Sequence, residues 1–220
     1  MPTTDKQHYY DRYWEQQDRI RVAQRAEWRS RRLYDLVGFR YNSLLDIGAG
    51  QGELLQYFKN AGYRVEGWDI SPEAVRTMKE AGYSARVVDL ERDEFEGHFS
   101  LVVCFEVLQQ IEDPLAVLRK ADKVLLPNGR LAISVPNEFH IVRRLGFGKP
   151  LVEHVQLFSP RKARELAKLA GYVFEAEIYQ PLVPPRWGHM LNKLGRLLAK
   201  VAPSFFCLST MLLLRRKGDN

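Results

Sequence analysis

The stretch that decides the fold is LLDIGAGQGE, residues 44–53. Its first four residues are apolar apart from one aspartate, as in a strand buried within a sheet, and three glycines and a helix-forming segment follow. Glycine lets the backbone turn sharply and lets a ligand lie against the main chain, while the N–H groups at the next helix start attract negative charge. The stretch therefore predicts a strand, a ligand-binding turn and a helix.

A carboxylate at the end of the next strand supports a nucleoside site. Asp69 follows Gly48 by 69 − 48 = 21 positions, and an acidic residue about 20 positions after the first glycine can accept hydrogen bonds from ribose hydroxyls. Glu53 stands where the dinucleotide fingerprint needs its third glycine, and it would repel a pyrophosphate. No Lys-Ser/Thr pair follows, which excludes a P-loop.

Outside this stretch, strand and helix signals alternate along the chain. Strands are predicted at residues 43–47, 64–68, 85–88, 101–105, 130–135, 173–179 and 208–215. Helices are predicted at residues 19–37, 53–62, 71–80, 114–126, 159–171 and 188–201, with Ser71 and Ser159 as N-caps followed by proline. Repeated strand–helix units favour an α/β fold in which a largely parallel sheet carries helices on both faces.

Composition and charge limit the class of protein. The 220 residues are 45% hydrophobic and 27% charged, which is typical of a globular domain. Cys104 and Cys207, without a Cys/His cluster, disfavour a disulfide framework and a structural zinc. The first residues contain no apolar leader and the tract Leu208–Leu214 is too short to cross a bilayer, so we expect a cytoplasmic protein.

Four motifs together resemble the class I methyltransferases that depend on S-adenosylmethionine. They are DIGAGQGE (46–53), WDIS (68–71), VVDLER (87–92) and the run from FSLVVCFEV to LAISVPN (99–137). The similarity covers most of residues 41–180, and the subgroup it resembles includes ubiquinone-biosynthesis O-methyltransferases and the methionine-biosynthesis protein MetW. The resemblance implies a Rossmann-like fold, with a seven-stranded, mostly parallel sheet whose last strand is antiparallel.

The same resemblance implies one methyltransferase domain over residues 1–220. A helical cap would occupy residues 1–40 and a cofactor-binding half residues 41–135. The substrate-side half would be residues 136–220, with a helical insertion at about 181–206.

The resemblance also implies roles for the residues that match its motifs. Gly48, Gly50 and Gly52 would cradle the methionine part of S-adenosylmethionine. Asp46 would lie near the ammonium group of that cofactor, and Asp69 would bind both ribose hydroxyls. A purely structural role for Asp46, as a cap of the glycine turn, is the alternative.

The adenine end of the cofactor would be held by later motifs. Asp89 would accept a hydrogen bond from the adenine amino group, with Leu90 against the ring and Ile70 as a further contact. Phe105 and Glu106 would line the other side of the cofactor. As an alternative, Asp89 is an ordinary turn aspartate.

The chain departs from many relatives at Gln109-Gln110, where those relatives have Glu-His. In the ubiquinone-type enzymes an acidic/histidine set there is associated with a divalent metal, and neutral glutamine is a poor replacement. We therefore predict no metal, although Glu106 remains. MetW-like relatives carry a Leu-Gln pair near this point, which matches Leu108-Gln109.

Two histidines in the link 136–157 are candidate general bases, because a hydroxyl nucleophile gains from proton removal. His154 is the better candidate, since its His-x-x-x-Phe-Ser context resembles a recurring segment of the subgroup, and His140 is the other. Each is alternatively a loop residue with a structural hydrogen bond. Arg143 and Arg144 would hold a substrate phosphate or carboxylate, or form a solvated pair.

Two segments are candidate covers for the substrate. One is an aromatic cluster near the N-terminus, formed by Tyr9, Tyr10, Tyr13 and Trp14, which would close over the substrate or serve in packing. The other is a helix with apolar residues on one face, namely Leu191, Leu194, Leu197, Leu198 and Val201. Its basic residues, Lys193, Arg196 and Lys200, lie on another face. This helix packs on the sheet, lies on a membrane surface, or covers an apolar substrate.

The charge of the chain is uneven. The net charge is +6; residues 1–40 carry nine basic and six acidic residues, residues 181–220 carry seven and one, and the middle is therefore 6 − 3 − 6 = −3. The basic ends either meet an anionic partner or form solvated faces. RNA methylation is disfavoured, because neither an Asn/Asp-Pro-Pro-Tyr/Phe motif nor an RNA-binding module is present in the sequence.

We therefore expect a methyltransferase that acts on a hydroxyl oxygen of a small-molecule or lipid-linked acceptor. The alternative is a MetW-like protein that binds S-adenosylmethionine and regulates another enzyme. An open pocket lined by His140 or His154 would favour catalysis, and a closed pocket beside an exposed apolar face would favour regulation. Nucleic acid is not an expected partner, and the oligomeric state is left open.

Overall fold

The computed structural model describes residues 3–16, 19–145, 155–181 and 189–219. Its strands are β1 (Ser43–Ile47), β2 (Arg64–Asp69), β3 (Ser84–Val87), β4 (Phe99–Phe105), β5 (Leu125–Pro136), β6 (Tyr172–Pro181) and β7 (Cys207–Arg216). Within the described residues they form one sheet in the order β3-β2-β1-β4-β5-β7-β6. Neighbours from β3 to β5 are parallel, whereas β7 is antiparallel to β5 and β6. The predicted sheet, with its antiparallel last strand, is confirmed.

Helices connect and flank these strands. They are α1 (Thr3–Gln16), α2 (Arg19–Val37), α3 (Glu53–Asn60), α4 (Pro72–Glu80), α5 (Pro114–Lys123), α6 (Ile141–Arg144), α7 (Pro160–Leu169), α8 (His189–Val201) and α9 (Pro203–Phe206). A single 3₁₀ turn covers Leu108–Gln110. Among the described residues, none of the helices combines the length and the apolar character that crossing a membrane requires.

The side chains of β1 fill two separate cores, one on each face of the sheet. Leu45 and Ile47 pack into the core shared with α5 and α7, whereas Leu44 packs into the core that holds Leu33 of α2 and Phe58 of α3. Successive side chains of a strand point to opposite faces, so a strand that is apolar at almost every position must be covered on both. This explains why the sheet is sandwiched between two layers of helices.

The predicted helix starts are confirmed at α4 and α7. The Ser71 hydroxyl oxygen accepts a hydrogen bond from the Ala74 N–H at 3.1 Å, and Ser159 accepts one from the Lys162 N–H at 3.2 Å. Each cap satisfies a backbone donor that has no partner within the helix. A proline follows each cap, at a position where its missing N–H costs nothing.

The prediction of a helix over residues 114–126 was wrong at its end. Helix α5 stops at Lys123, and β5 begins at Leu125 instead of residue 130. Leu125 pairs with Phe99 of β4, and the register shifts before the next paired residues. The apolar run that continued the helical pattern is used for strand pairing, and the Pro-Asn-Gly segment 127–129 lies as an irregularity inside the strand.

The two N-terminal helices pack against helices that follow β1 and β2. Helix α2 packs against α3, and α1 lies against α4. Two polar contacts tie α1 to the rest of the chain: Lys6 forms an ion pair with Glu91, and the Ser71 hydroxyl donates a hydrogen bond to Asp11. These contacts hold the predicted helical cap beside the carboxyl ends of the strands.

Helix α8 packs on β6 with a face other than its leucine face. Gly195 and Ala199 are buried, whereas Leu194, Leu197 and Val201 are 49%, 57% and 75% exposed. Three residues of the predicted apolar face therefore point away from the protein, and a fourth, Leu198, is half-buried.

Candidate active site

A cavity of about 920 Å³ opens at the carboxyl ends of the strands. Strand β1 lies between β2 and β4, so the chain leaves it toward one side of the sheet and later crosses to the other. Ligands of open α/β sheets bind at such a reversal of strand order. Eight of the ten predicted cofactor-binding residues line the cavity: Asp46, Gly48, Asp69, Ile70, Asp89, Leu90, Phe105 and Glu106.

The glycine turn forms the floor of the cavity. Gly48 has φ +77°, and a Cβ atom at this position would lie 2.2 Å from Cγ2 of Val107. No side chain fits there. Gly50 and Gly52 do not line the cavity; Gly50 donates its N–H to Asp69, and Gly52 precedes α3 with φ +88°. The three glycines thus shape the turn together, and Gly48 exposes its main chain to a ligand.

The Asp69 carboxylate is held by backbone N–H groups of the glycine turn and of the start of α4. One carboxylate oxygen accepts the Gly50 N–H at 2.8 Å and the other accepts the Ser71 N–H at 3.0 Å. Burial raises the pKa of Asp69, and these hydrogen bonds oppose that rise. Each oxygen retains a further lone pair, so the carboxylate can also accept hydrogen bonds from two hydroxyls of a ligand.

Asp46 is a buried carboxyl group near two others. Burial, together with the neighbouring Asp69 and Glu53 carboxylates and against the opposing charge of Arg29, raises its pKa to about 8. Without a cation beside it, the group is largely protonated at neutral pH. A cation that entered the cavity would favour the carboxylate form, so the position suits a ligand ammonium group.

Asp89 forms a turn contact, and its role toward adenine stays a prediction. One carboxylate oxygen of Asp89 accepts a hydrogen bond from the Glu91 N–H at 3.0 Å, as in an Asx turn. The backbone N–H of Asp89 donates a hydrogen bond to the Asp93 carboxylate at 2.8 Å. The side chain is nevertheless part of the cavity wall, with Leu90 beside it. The turn fixes the carboxylate at the rim of the cavity.

Glu106 directly follows β4 and has a strained backbone conformation. Its φ of +58° lies in the left-handed region, which a residue with a Cβ seldom adopts. The carboxylate accepts a hydrogen bond from the Ser134 hydroxyl at 2.9 Å and lies 3.4 Å from the Arg29 guanidinium. Its backbone carbonyl accepts the side-chain N–H of Gln109 at 2.7 Å. Such strain often persists at functional sites, where surrounding contacts hold it.

His140 brings a titratable nitrogen base into the same cavity. It is buried, it lines the cavity with Glu138 and Arg143, and those two side chains form an ion pair. Burial, together with the nearby Arg143 charge, lowers the pKa of His140. The imidazole is therefore neutral at physiological pH and able to accept a proton. His154, the other candidate base, lies outside the described residues.

The N-terminal cap contributes residues that sequence reasoning partly missed. Tyr9 and Tyr10 line the cavity, as considered for the aromatic cluster, and so do Lys6 and Arg29. The sequence offered no signal for the two cations, because their approach to the cavity depends on how α1 and α2 pack. The side chains of the other two aromatic residues, at positions 13 and 14, are not among those described.

Gln109 and Gln110 both border the cavity, at the place where a metal was considered. Within the described ranges no group of three or more His, Cys, Asp or Glu side chains is placed to hold a metal ion. The absence of a metal remains a prediction from the residue types.

Residues 8–177 match the sequence profile of a family described as a methyltransferase domain. The chain belongs to this family. The matched range includes the glycine turn and every cavity-lining aspartate.

Curated relatives of this methyltransferase domain include ubiquinone biosynthesis O-methyltransferases. The protein from Xanthomonas oryzae pv. oryzae (strain PXO99A) is 34% identical over 121 residues, which cover 51% of this chain and 49% of that protein. The protein from Xanthomonas campestris pv. campestris (strain B100) is 31% identical over 102 residues, covering 43% of each. The chain thus spans about half the length of the curated relatives it matches, or less.

Solved methyltransferase structures share the fold over nearly the whole chain. The magnesium protoporphyrin IX methyltransferase from Synechocystis PCC 6803, with bound S-adenosylmethionine, has a TM-score of 0.65 at 17% identity and covers 98% of this chain and 97% of that one. A protein from Mesorhizobium loti, an S-adenosylmethionine-dependent methyltransferase, has a TM-score of 0.64 at 18% identity and covers 87% and 98%. At these identities the likeness establishes the Rossmann-like fold.

Proposed function

We propose that this methyltransferase domain binds S-adenosylmethionine and transfers its methyl group to a hydroxyl oxygen of a small-molecule or lipid-linked acceptor. The observation that carries the proposal is the continuity of one cavity. The glycine turn and Asp69 lie in its wall, and so does His140. A cofactor and an acceptor bound there would be neighbours.

The residues present fit S-adenosylmethionine. Gly48 lines the cavity, so the methionine part would lie against its main chain, and the raised pKa of Asp46 suits an ammonium group that would stabilise its carboxylate form. Asp69 offers two fixed oxygens to the ribose hydroxyls. Asp89 would accept a hydrogen bond from the adenine amino group, and Leu90 would provide an apolar contact for the ring. When bound, this cofactor supplies an electrophilic methyl group on a sulfonium.

The chain itself has to position the acceptor and receive its proton. His140 is neutral, lies in the cavity wall and is therefore the described residue suited to accept a hydroxyl proton. Burial is the main cause that lowers the pKa of this imidazole; the Arg143 charge adds to it, and the charge of its partner Glu138 opposes it. Tyr9 and Tyr10 of α1 line the cavity and would help to exclude water from the reacting groups.

Oxygen is the proposed acceptor atom for two reasons. The curated relatives are named ubiquinone biosynthesis O-methyltransferases, and the match covers about half of their length. A neutral histidine base is most useful for a hydroxyl nucleophile, which is weak until its proton is removed. The cavity volume of about 920 Å³ lies at the upper end of the range of about 300–1,000 Å³ for small-molecule sites, so there is room for both molecules. This room favours catalysis over a purely regulatory cofactor-binding role.

Two experiments test the proposal in sequence. Calorimetric titration with S-adenosylhomocysteine measures cofactor binding, and absence of binding would remove the proposed cofactor. Incubation of cell extract with the protein and isotopically labelled S-adenosylmethionine, followed by mass spectrometry, would then reveal an acceptor that has gained a methyl group.

The role of His140 is tested once an acceptor is known. His140→Ala should lower turnover roughly 100-fold or more while the affinity for S-adenosylhomocysteine stays unchanged. His98→Ala, which removes an exposed histidine, is the matched control and should leave both unchanged. Normal turnover of His140→Ala would show that the imidazole is not the base.

A further inference from the structure

The outward face of α8 is apolar although α8 is already packed on the protein. Leu194, Leu197 and Val201 recur at helical spacing, and all three are exposed, while Ala199 on a different face is 1% exposed. The helix therefore turns Ala199 inward, holds Leu198 half-buried and leaves Leu194, Leu197 and Val201 outside. An exposed apolar stripe of this kind marks a surface that is covered by something else.

A basic stripe runs beside this apolar stripe. Lys193, Arg196 and Lys200 precede the three apolar residues by one position each, and all three are exposed. At about 100° per residue the basic side chains lie next to the apolar ones around the helix axis. The sequence of α8, HMLNKLGRLLAKV, contains no acidic residue. A large apolar face flanked by cations is the pattern of helices that lie in the plane of a membrane surface.

The apolar surface continues from α8 toward the cavity. Helix α9 packs against α8, and its Phe205 is exposed and carries the Arg144 guanidinium over its ring at 4.5 Å. Arg144 belongs to α6, where Val142 and the following Leu145 are also exposed. The preceding turn of chain supplies His140 to the cavity wall. The patch formed by α8, α9 and α6 therefore reaches the side of the cavity where the acceptor would bind.

We propose that the patch formed by α8, α9 and α6 docks on the surface of an anionic lipid bilayer. The apolar stripe would enter the boundary between headgroups and acyl chains, and the basic stripe would meet anionic headgroups. Charge complementarity favours this occupant over a second copy of the chain, because two basic stripes facing each other would repel. Docking in this orientation would present the cavity opening to molecules that reside in the membrane.

Vesicle co-sedimentation tests the docking with the full chain. Vesicles of phosphatidylcholine alone are compared with vesicles that also contain phosphatidylglycerol, and we expect binding to the second kind only. The triple variant Lys193→Glu, Arg196→Glu, Lys200→Glu should partition roughly 100-fold less, at about 1 kcal/mol for each basic residue near the surface. The variant Leu194→Ser, Leu197→Ser, Val201→Ser should also lose binding, and its fold should persist because these residues are exposed.

A matched control separates the effect of the basic stripe on vesicle binding from the effect of net charge. The triple variant Lys59→Glu, Lys79→Glu, Arg119→Glu changes the net charge by the same amount at exposed sites on other helices, and it should bind vesicles as the wild type does. An equal loss in this control, or no binding of the wild type to anionic vesicles, would overturn the proposal.

Two further readouts separate this proposal from others. Sedimentation velocity that showed a dimer broken by the Leu194, Leu197 and Val201 replacements would assign the patch to a second copy and overturn membrane docking. Titration with S-adenosylhomocysteine should give the same affinity for every variant. Loss of docking at normal cofactor affinity thus tests the patch and leaves the proposed function untouched.

Discussion

Replacement of Asp46 by asparagine tests the electrostatic design of the site most directly. Asparagine resembles the protonated carboxyl group in shape but does not ionise. In the folded chain, burial raises the pKa of Asp46 to about 8, against an ordinary value of 3.8. The folded state therefore holds the proton more tightly than the unfolded state, and the wild type loses stability as the pH rises from the unfolded pKa toward the folded one.

The size of the effect follows from this difference in pKa. Between these two pKa values each pH unit changes the free energy of unfolding by about 1.4 kcal/mol. From pH 5 to pH 7 the advantage of Asp46→Asn over the wild type should therefore grow by roughly 2–3 kcal/mol. Above about pH 8, where the folded carboxyl group also ionises, the advantage should reach a plateau.

Urea unfolding followed by circular dichroism at several pH values measures this directly. Asp35→Asn is the matched control, because Asp35 is exposed on α2 and the same substitution there removes a carboxylate from water. The control should show little change with pH. If the Asp46→Asn advantage stayed constant from pH 5 to pH 8, the reasoning about a buried, largely protonated carboxyl group would be refuted.

Three further outcomes are expected. Calorimetry in buffers of different ionisation enthalpy should show that S-adenosylhomocysteine binding near neutral pH releases close to one proton from the wild type and none from Asp46→Asn. Gly48→Ala should lower the free energy of unfolding, measured in urea, more than Gly62→Ala does. Both positions have positive φ, but only the Cβ added at position 48 would meet Val107. Equal losses would contradict the steric argument. Asp69→Ala should lower the free energy of unfolding by about 2–4 kcal/mol, because two buried N–H groups lose their acceptor, and should also weaken S-adenosylhomocysteine binding at least tenfold in calorimetry. A variant with undiminished affinity would refute the ribose contact.

The strongest sequence signals were local ones. Strand β1 was predicted with its observed bounds, and the start of α4 followed from a cap at Ser71 and a proline next to it. These features depend on backbone rules that act within a few residues. The spacing between Gly48 and Asp69 indicated one site, and Asp69 does meet the glycine turn, where it accepts the Gly50 N–H, because parallel neighbouring strands bring their carboxyl ends to one edge.

What sequence reasoning missed depends on distant parts of the chain. The end of α5 was placed too late because its apolar residues fit a helix as well as a strand, and the pairing of Leu125 with Phe99 decided between them. The outward orientation of Leu194 and Leu197 goes with the burial of Ala199 on another face of α8, which periodicity does not reveal. The approach of Arg29 to Glu106 depends on the packing of α2.

The way in which α1 is attached has a consequence for turnover. This helix supplies one wall of the cavity and is tied down by the Lys6–Glu91 ion pair and the Ser71–Asp11 hydrogen bond, both only partly buried. Dissolved ions compete with such contacts, and screening weakens them as ionic strength rises. If the chain carries out the proposed methyl transfer and exit of the spent nucleoside limits its rate, weaker attachment of α1 should let moderate salt speed the cycle.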